Sequence, residues 1–552
     1  MRRSVFFAAV VAAFCTLHLS ADVTGTILGT VRDASHAVVV GARVVGTNTQ
    51  TNFTREVVTD QNGDYRLLAL PAGQYTVSAT APGFDEFIAK DVLVNVNDEI
   101  RIDATLQLGT VKQAVTVEAN AVRVETESTQ LGQVVDTKQI LSLPLNGRSF
   151  IDLLGLQAGV APTTSSSIQQ DRPVSGINDA GNVSVNGQRE TANAFLVNGG
   201  DVSEGRNEGA GLIPNLDSIQ EFRLITNSFD AEYGKYSGSI MNAITKSGTN
   251  GFHGDVFEFI RNDKFDARNF FDPTKAELRR NQFGYAVGGP FIRNRLFWFT
   301  DYQGTRQVAG ASTGLVPVPS AVERAGIFDP STFVDSNGNP TLVGGSYWAQ
   351  QLSQKLGYPV SNGEMYSFPG CASTAQCVFP GGAIPQRAFA APAIGILPYI
   401  PLPNQPSGYY ANASQKNTVV DDKMGQRVDL VTQNTGTWYF YYHYDDSTVD
   451  QALPPASVTG ASVPGFPART PTRAQEAVLS NTRTFGATQV NEFRLSFFRT
   501  ATRTDVPSGS FANLASLGFV TGPGTLGINP SGPAGFPQTV PPIYFNSFSI
   551  GV

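Results

Sequence analysis

The sequence predicts a mainly β protein, and three observations support that prediction. Only 15% of the residues are charged, whereas an ordinary soluble domain has roughly 25%. The chain is rich in residues typical of turns and strands, with 55 glycines, 36 phenylalanines and 17 tyrosines. Short runs of alternating apolar and polar residues recur along it, which is the pattern of half-buried strands. A chain of 552 residues is expected to hold more than one domain unless one large β-structure uses most of them.

Charge and residue counts exclude several classes of function. The net charge is −7, so no basic excess draws the chain to phosphate, and we expect no nucleic-acid partner. There are four histidines and three cysteines, without paired histidines or a Cys-x-x-Cys motif. Zinc sites in proteins need three or four such ligands together. We therefore expect no metal, no cofactor and no catalytic residues, and we predict that the protein is not an enzyme.

Residues 1–21 have the composition of a signal peptide. Arg2 and Arg3 precede an apolar run, Val5–Leu17, and small residues up to Ala21 form a cleavage site. The alternative is a membrane anchor, but the apolar run is too short to span a bilayer comfortably. No later stretch has the roughly 18 apolar residues of a membrane-spanning helix, which excludes a helical membrane protein. An outer-membrane barrel is not excluded, because its strands are short and alternate.

Residues 22–108 predict a small β-sandwich. About seven short strand-like runs are separated by turn signals such as Asn62-Gly63 and Pro82-Gly83. The stretches "GTVRDASHAVVVGARVVGTNTQT" and "TDQNGDYRLLALPAGQYTVSATAPGF" resemble a carboxypeptidase regulatory-like domain, a transthyretin-like sandwich often classed with carbohydrate-binding-like folds. The resemblance does not imply peptidase activity, because the segment has one histidine and no zinc motif.

Residues 109–250 predict a compact α+β unit. Asp136 is placed to cap a short helix through Leu143, and extended runs such as Phe222–Thr226 follow. Two stretches, Leu131–Val160 and Ser218–Gly254, resemble the plug of TonB-dependent outer-membrane receptors. The resemblance is to the Oar-like group, which carries a sandwich before the plug, and it covers nearly all of residues 22–552.

The resemblance implies a TonB box, a short extended segment that pairs with an energy-coupling protein by strand addition. The best candidate consists of four residues with alternating β-branched side chains: Ala114, Val115, Thr116 and Val117. The same run is also consistent with the last strand of the sandwich or with an inert linker. Candidate ligand residues in the plug loops are Arg148, Arg189, Asn198 and Asp201. The group usually has Asp-Gly where this chain has Asn198-Gly199, which removes one carboxylate from that loop.

Residues 251–552 predict strands of an antiparallel transmembrane barrel. Phe283, Tyr285 and Val287 share one face of a run whose other face is small or polar, and Trp438 and Phe440 begin a similar row. Local alternation does not distinguish a barrel from a soluble sandwich with one buried face; the plug resemblance favours the barrel. The region near 305–420 is rich in proline, glycine and serine, and we expect a structureless extracellular loop there.

Two further expectations concern this region. Cys371 and Cys377 are close enough in sequence to close a disulfide loop in an oxidising compartment, the alternative being two free thiols. Roughly six to ten strand candidates follow residue 251, whereas a barrel that encloses a plug has about 22. The last residues also lack the terminal aromatic that the resemblance implies. We therefore expect an incomplete barrel, from the N-terminal part of a longer receptor or from a truncated product.

Together these features predict an outer-membrane receptor that binds and imports an extracellular ligand. Its expected partners are a TonB-type energy-coupling protein, outer-membrane lipid and the ligand itself. The low charge of the loops favours an oligosaccharide or a peptide, and the sandwich is a possible glycan-binding module. The alternative is a structural or adhesive cell-surface protein of the same fold. A secreted hydrolase is disfavoured by the small number of histidines.

Overall fold

The structure is a computed structural model, and it begins beyond the predicted signal peptide, which lies outside the described residues. The described residues are 23–109, 114–118, 130–143, 145, 147–148, 150–162, 183–205, 208–229, 233–268, 275–335, 337–432, 434–454, 461–486, 489–503, 505, 515–520, 543–545 and 548–550. None of the helices in these ranges is long and apolar enough to cross a bilayer.

The N-terminal unit is a sandwich of two sheets. Its strands are β1 (Thr24–Asp33), β2 (Arg43–Asn48), β3 (Thr54–Val58), β4 (Asp64–Pro71), β5 (Gly73–Thr80), β6 (Glu86–Val94), β7 (Glu99–Arg101), β8 (Ala104–Leu106) and β9 (Ala114–Glu118). One sheet has the order β4-β1-β7, with β8 also paired to β1, and the other has the order β3-β2-β5-β6-β9. Alternate side chains such as Ile27, Leu67 and Tyr75 are fully buried between the sheets, as the period of a half-buried strand requires.

The second unit is a compact α+β domain, called here the plug. Its elements are β10 (Leu131–Asp136), α1 (Thr137–Ser142), β11 (Val160–Pro162), β12 (Val183–Val185), β13 (Ala194–Val197), β14 (Gly200–Asp201), β15 (Ile219–Asn227) and β16 (Ile240–Thr245). Single 3-10 turns occur at Phe150–Leu156, Glu190–Ala192 and Leu216–Ser218. Five strands form a sheet in the order β10-β15-β16-β13-β14. The predicted helix N-cap at Asp136 is confirmed, since its carboxylate accepts the Gln139 N–H at 2.8 Å at the start of α1.

The third unit contains a seven-stranded antiparallel sheet, called here the wall. The strands after residue 250 are β17 (His253–Asn262), β18 (Leu278–Ile292), β19 (Leu296–Ala311), β20 (Val316–Pro317), β21 (Tyr409–Tyr410), β22 (Gln415–Thr432), β23 (Gly436–Gln451), β24 (Ala468–Phe485), β25 (Gln489–Thr502), β26 (Ile543–Tyr544) and β27 (Ser549–Ile550). The wall has the order β17-β18-β19-β22-β23-β24-β25. Among the described residues, β17 and β25 do not pair with each other, so the sheet is open. The predicted mainly β class with an incomplete barrel is confirmed.

The two faces of the wall differ as the alternation predicts. Phe440 is 46% exposed on the outward face, and its neighbours in sequence, Tyr439 and Tyr441, are buried on the inward face. On β18, Tyr285 points outward, whereas Gln282 and Ala286 are buried on the inward side. An outward apolar row opposite a mixed polar row is typical of strands that cross an outer membrane.

Connection lengths orient the wall. Short connections at 293–295, 433–435 and 486–488 lie at one end of the strands, and long ones at 263–277, 312–414 and 452–467 lie at the other. Short turns of outer-membrane barrels face the periplasm and long loops face outward. The sandwich contacts the short-connection end, where Asn52 donates to Asn294 at 2.9 Å and Arg55 donates to the Thr484 hydroxyl at 2.6 Å. The sandwich therefore lies at the short-connection end, which faces the periplasm in outer-membrane barrels.

Residues 312–414, called here the cap, correct the prediction of a structureless loop. They contain α2 (Ala321–Arg324), α3 (Ser346–Leu356), α4 (Ala391–Ile396) and 3-10 turns at Pro330–Thr332, Pro380–Gly382, Gln386–Ala388, Leu397–Tyr399 and Pro406–Gly408. Val343, Leu356, Val378 and Phe379 form a buried core of their own. The prediction was wrong because the core residues are scattered between prolines and glycines without a helical or strand period.

Candidate functional site

The plug packs against the inward face of the wall, and this contact is called here the plug–wall interface. Phe195 and Val197 of the plug belong to one buried cluster with Tyr439, Tyr441 and Val478 of β23 and β24. The hydrophobic effect therefore holds the two units together, because these apolar side chains leave water at the contact.

Polar side chains of β22 and β23 donate hydrogen bonds to the backbone of the plug. The Tyr439 hydroxyl donates to the Asn198 carbonyl at 2.9 Å, and the Arg427 guanidinium donates to the Thr245 carbonyl at 2.8 Å. Further along β22, the Lys423 ammonium donates to the Ile213 carbonyl at 3.1 Å. Side chains of the wall thus satisfy backbone carbonyls of the plug, which require partners wherever they are buried.

Arg148 is part of this interface rather than of an open ligand loop. Its guanidinium is paired with the buried Asp217 carboxylate and lies over the rings of Phe257 and Phe259 on β17, at 4.4 and 4.0 Å. Burial lowers the pKa of the Arg148 guanidinium, and Asp217 opposes that shift. The predicted ligand role needs an accessible charge, whereas the structure uses this charge inside the protein.

Asn198, another predicted ligand residue, is also buried. Asn198 and Gly199 have φ of 50° and 76° and join β13 to β14 in a two-residue hairpin, which favours Asn-Gly. The Asn198 side-chain oxygen accepts the Thr245 N–H at 3.0 Å. Its wall partner Tyr439 lies three residues into β23, about 10 Å from the short-connection end at ~3.3 Å per residue. The turn therefore lies in the half of the wall nearer the short connections.

The other two predicted ligand residues are exposed. Arg189 precedes a 3-10 turn, and no side-chain hydrogen bond caps that turn. The Asp201 carboxylate accepts the Tyr236 hydroxyl at 2.9 Å, and Lys235 lies 3.8 Å from the same carboxylate. The hydrogen bond to Tyr236 raises the pKa of Lys235. The four predicted residues therefore form no common site, and only Asp201 joins an exposed polar cluster.

The candidate coupling residues Ala114–Val117 lie in β9, which adds to the edge of the sandwich. β9 runs parallel to β6, with Val115 opposite Phe87 and Val117 opposite Ala89. This arrangement is the alternative that the sequence left open, a last strand of the sandwich. It also shows that the segment adopts the extended form that strand addition requires.

A second contact, between the sandwich and β15 of the plug, is called here the sandwich–plug junction. It was not predicted from the sequence. Arg223 on β15 donates to the Asp98 carboxylate at 3.1 Å and to the carbonyls of Val96 and Asn97 at 3.2 Å. The Glu221 carboxylate accepts the Val96 N–H at 2.5 Å. Arg223 and Asp98 are each about 3% exposed, and removing one partner of such a buried pair costs about 3–5 kcal/mol. The sequence signal is that Glu221 and Arg223 lie two residues apart on β15, on either side of the apolar Phe222.

A cavity of about 540 Å³ lies where the sandwich, the plug and the wall meet. Phe53, Gln74, Lys246, His253 and Asp429 are among the residues that line it. Burial lowers the pKa of Lys246. Within the described ranges, no three His, Cys, Asp or Glu side chains are grouped as a metal site. In the cap, Cys371 and Cys377 are joined in a disulfide.

Comparison with known families decides the identity of the wall. Residues 244–551 match the family described as outer membrane beta barrel domain, and residues 26–107 match the carboxypeptidase regulatory-like domain. The chain belongs to the outer membrane beta-barrel family. This family implies a location in the outer membrane and favours the barrel over the alternative of a soluble sandwich after residue 250.

Among curated proteins, the chain is similar to the TonB-dependent transporter Oar of Myxococcus xanthus. The two are 29% identical over 309 residues, which cover 51% of this chain and 27% of the relative. The chain thus spans about a quarter of that relative's length. The relative is a transporter rather than an enzyme.

Two solved structures have weak overall similarity. The outer membrane transporter YddB of Escherichia coli is 10% identical, with a TM-score of 0.39 over 68% of this chain and 40% of its own. The siderophore receptor PirA of Acinetobacter baumannii is 14% identical, with a TM-score of 0.32 over 71% of this chain and 51% of its own.

Proposed function

We propose that this outer membrane beta-barrel protein binds an extracellular ligand and imports it with energy from a TonB-type coupling protein. The observation that carries the proposal is the compact α+β unit that packs on the inward face of the wall. A plug in that position blocks a pore, so passage of a ligand requires the plug to move. Export through a cleaved signal peptide at residues 1–21 belongs to the same proposal.

The arrangement also needs a closed pore. Open sheet edges are not tolerated in lipid, because the hydrocarbon offers no hydrogen-bond partners to the backbone. Transport therefore requires that β17 and β25 pair with further strands on their outer edges. The chain covers 27% of the Oar relative.

The cap supports an oligosaccharide or a peptide as the ligand. Tyr347 and Trp348 are 63% and 58% exposed at the start of α3, with their ring centroids 5.1 Å apart. Exposed aromatic rings offer flat apolar faces to the sugar rings of an oligosaccharide or to peptide side chains. Arg189 and Asp201 are the remaining candidates for ligand contact in the plug, and the sandwich is a candidate glycan-binding module.

Coupling is tested by breaking the extended form of β9. In cells, the double variant Val115→Pro and Val117→Pro is compared with Val115→Ile and Val117→Ile, which keep the β-branched pattern. The probes are fluorescent maltodextrins and a labelled tryptic digest of casein. We expect uptake to fall at least tenfold in the proline variant at equal outer-membrane amounts, because proline removes backbone donors. Equal uptake by both variants would contradict a coupling role for this segment.

The alternative, a structural or adhesive surface protein, is favoured by the folded, disulfide-linked cap. A surface protein does not need the plug to move. Adhesion of cells to an immobilised polysaccharide would then be unchanged in the proline variant, and neither variant would import either probe.

A further inference from the structure

A continuous set of contacts joins the coupling segment to the plug through the sandwich. β9 pairs with β6, and β6 ends at Val94, immediately before the loop Asn95–Asp98. The loop is held firmly within the sandwich, because the Asp98 carboxylate accepts the Asn95 N–H at 2.9 Å and the Asp98 carbonyl accepts the Thr26 N–H at 2.8 Å. A displacement of β6 therefore displaces this loop.

The same loop contacts the plug sheet close to its centre. Asp98 pairs with Arg223, and the Val96 N–H donates to Glu221, so both bonds end on β15. β15 lies between β10 and β16 and is hydrogen-bonded along its length to both. A force on the loop is thus delivered to an interior strand of the plug rather than to its periphery.

The covalent route from β9 to the plug begins and ends beside the sandwich. The connecting segment starts after Glu118, the last residue of β9. Residues 119–129 lie outside the described part of the chain. Gln130, just before β10, accepts the Asn97 side-chain N–H at 2.8 Å. Both ends of this connection are therefore held by the sandwich.

We propose that the sandwich transmits the coupling force to the plug, so that sandwich and plug move as one body against the wall. β9 is the terminal strand of its sheet, and among the described residues no strand pairs with its other edge. The coupling partner adds an extended strand to that edge, β9 stays paired with β6, and the pull reaches β15 through Asn95–Asp98. The proposal rests on the coupling function proposed above.

The test uses a reporter of plug movement that does not depend on a known ligand. Ser480 is fully buried on the inward face of β24, opposite Tyr439. Ser480→Cys is labelled in living cells with a membrane-impermeant maleimide, with maltodextrins and a tryptic digest of casein in the medium. We expect labelling to be at least tenfold faster in energised cells than in cells treated with a protonophore.

The variant Asp98→Ala then removes the carboxylate that pairs with Arg223 at the junction. We expect the energy-dependent labelling to fall at least fivefold, while the cross-link from Val115→Cys to the coupling partner keeps its wild-type yield. Retention of that cross-link shows that the sandwich is folded and captured. The matched control is Glu56→Ala, which removes an exposed carboxylate paired with Arg43 on the same sandwich and leaves labelling unchanged. Exchange of the charges, Asp98→Arg with Arg223→Asp, restores at least part of the labelling.

The outcomes separate this proposal from the one on which it rests. Full energy-dependent labelling in Asp98→Ala would overturn transmission through the sandwich and leave coupling intact. Loss of the Val115→Cys cross-link in Asp98→Ala would also overturn it, since capture at β9 would then depend on the junction. A wild-type protein that shows neither the cross-link nor energy-dependent labelling would overturn the coupling function itself.

Discussion

The plug has two contacts of opposite character. At the sandwich–plug junction, the Arg223 guanidinium meets the Asp98 carboxylate, and the Glu221 carboxylate meets a backbone N–H. At the plug–wall interface, both carboxylate oxygens of Glu476 lack a hydrogen-bond partner within the described residues. A buried carboxylate without a partner costs free energy, whereas hydrogen bonds and a paired cation offset much of that cost. We therefore expect the junction to persist when the plug–wall interface separates.

The largest expected effect comes from breaking the junction. Arg223→Met leaves the Asp98 carboxylate buried without its cation, which costs about 3–5 kcal/mol. Hydrogen exchange of the Val96 amide is then expected to be at least about a hundredfold faster, since each 1.4 kcal/mol is tenfold. Arg223→Lys keeps the charge and is the matched control, with a smaller increase. Unchanged exchange in Arg223→Met would contradict a persistent junction.

At the plug–wall interface we expect a substitution that increases stability, whereas the one at the junction decreases it. Glu476 is fully buried on β24 beside Gly200 of the plug. Glu476→Leu removes an unsatisfied carboxylate, which stabilises the interface by about 1–3 kcal/mol. Maleimide labelling of Ser480→Cys in the purified protein should slow roughly 5- to 100-fold. Glu476→Gln keeps a polar group and should slow it less. Faster labelling in Glu476→Leu would show that this carboxylate holds the plug in place.

A smaller effect is expected at the Asn198 turn. The Asn198 Nδ2 has no partner within the described residues, and its side-chain oxygen lies 3.4 Å from the Arg427 guanidinium. Asn198→Asp removes this donor and gives a negative charge to the group that already faces Arg427, so we expect a gain of about 1 kcal/mol in plug–wall stability. The same labelling assay measures it. Asn198→Ala is the control, because it leaves the Thr245 N–H unpaired and should speed labelling.

The strands that sequence analysis found differ in a physical way from those it missed. Phe283 and Tyr285, or Trp438 and Phe440, alternate with small or buried residues because the outward face of the sheet is apolar, and that contrast is visible locally. Sequence analysis did not predict β22, because Asp421 and Asp422 place a carboxylate on each of its faces and so interrupt the alternation of apolar and polar residues. Alternation therefore predicts only strands whose outward face is apolar.

The candidate site was less predictable than the fold. Resemblance predicted a plug at residues 109–250 and assigned Arg148 and Asn198 to its ligand loops, whereas in the structure both side chains contact the wall. The junction joins Asp98 to a residue 125 positions away, and no local pattern marks such a pair. The cap was misjudged for a similar reason, since its core residues come together only when the disulfide-linked loop folds.

The central claim is that sandwich and plug move together while the wall stays in place, and two cross-links test it most directly. One pair, Asn97→Cys with Gln130→Cys, joins the sandwich to the plug across an existing hydrogen bond of 2.8 Å. The other, Gly200→Cys with Ser496→Cys, joins the plug to β25, where a Cβ on Gly200 would lie 3.3 Å from the Ser496 Cβ. Both pairs are closed with the same short bis-maleimide, and uptake of fluorescent maltodextrins and labelled casein peptides is measured in cells.

We predict that the first cross-link leaves uptake at its uncross-linked level and that the second abolishes it. Loss of uptake with the Asn97–Gln130 cross-link would mean that the plug must leave the sandwich, which contradicts the account. Retention of uptake with the Gly200–Ser496 cross-link would mean that the plug need not leave the wall, and would contradict it as well.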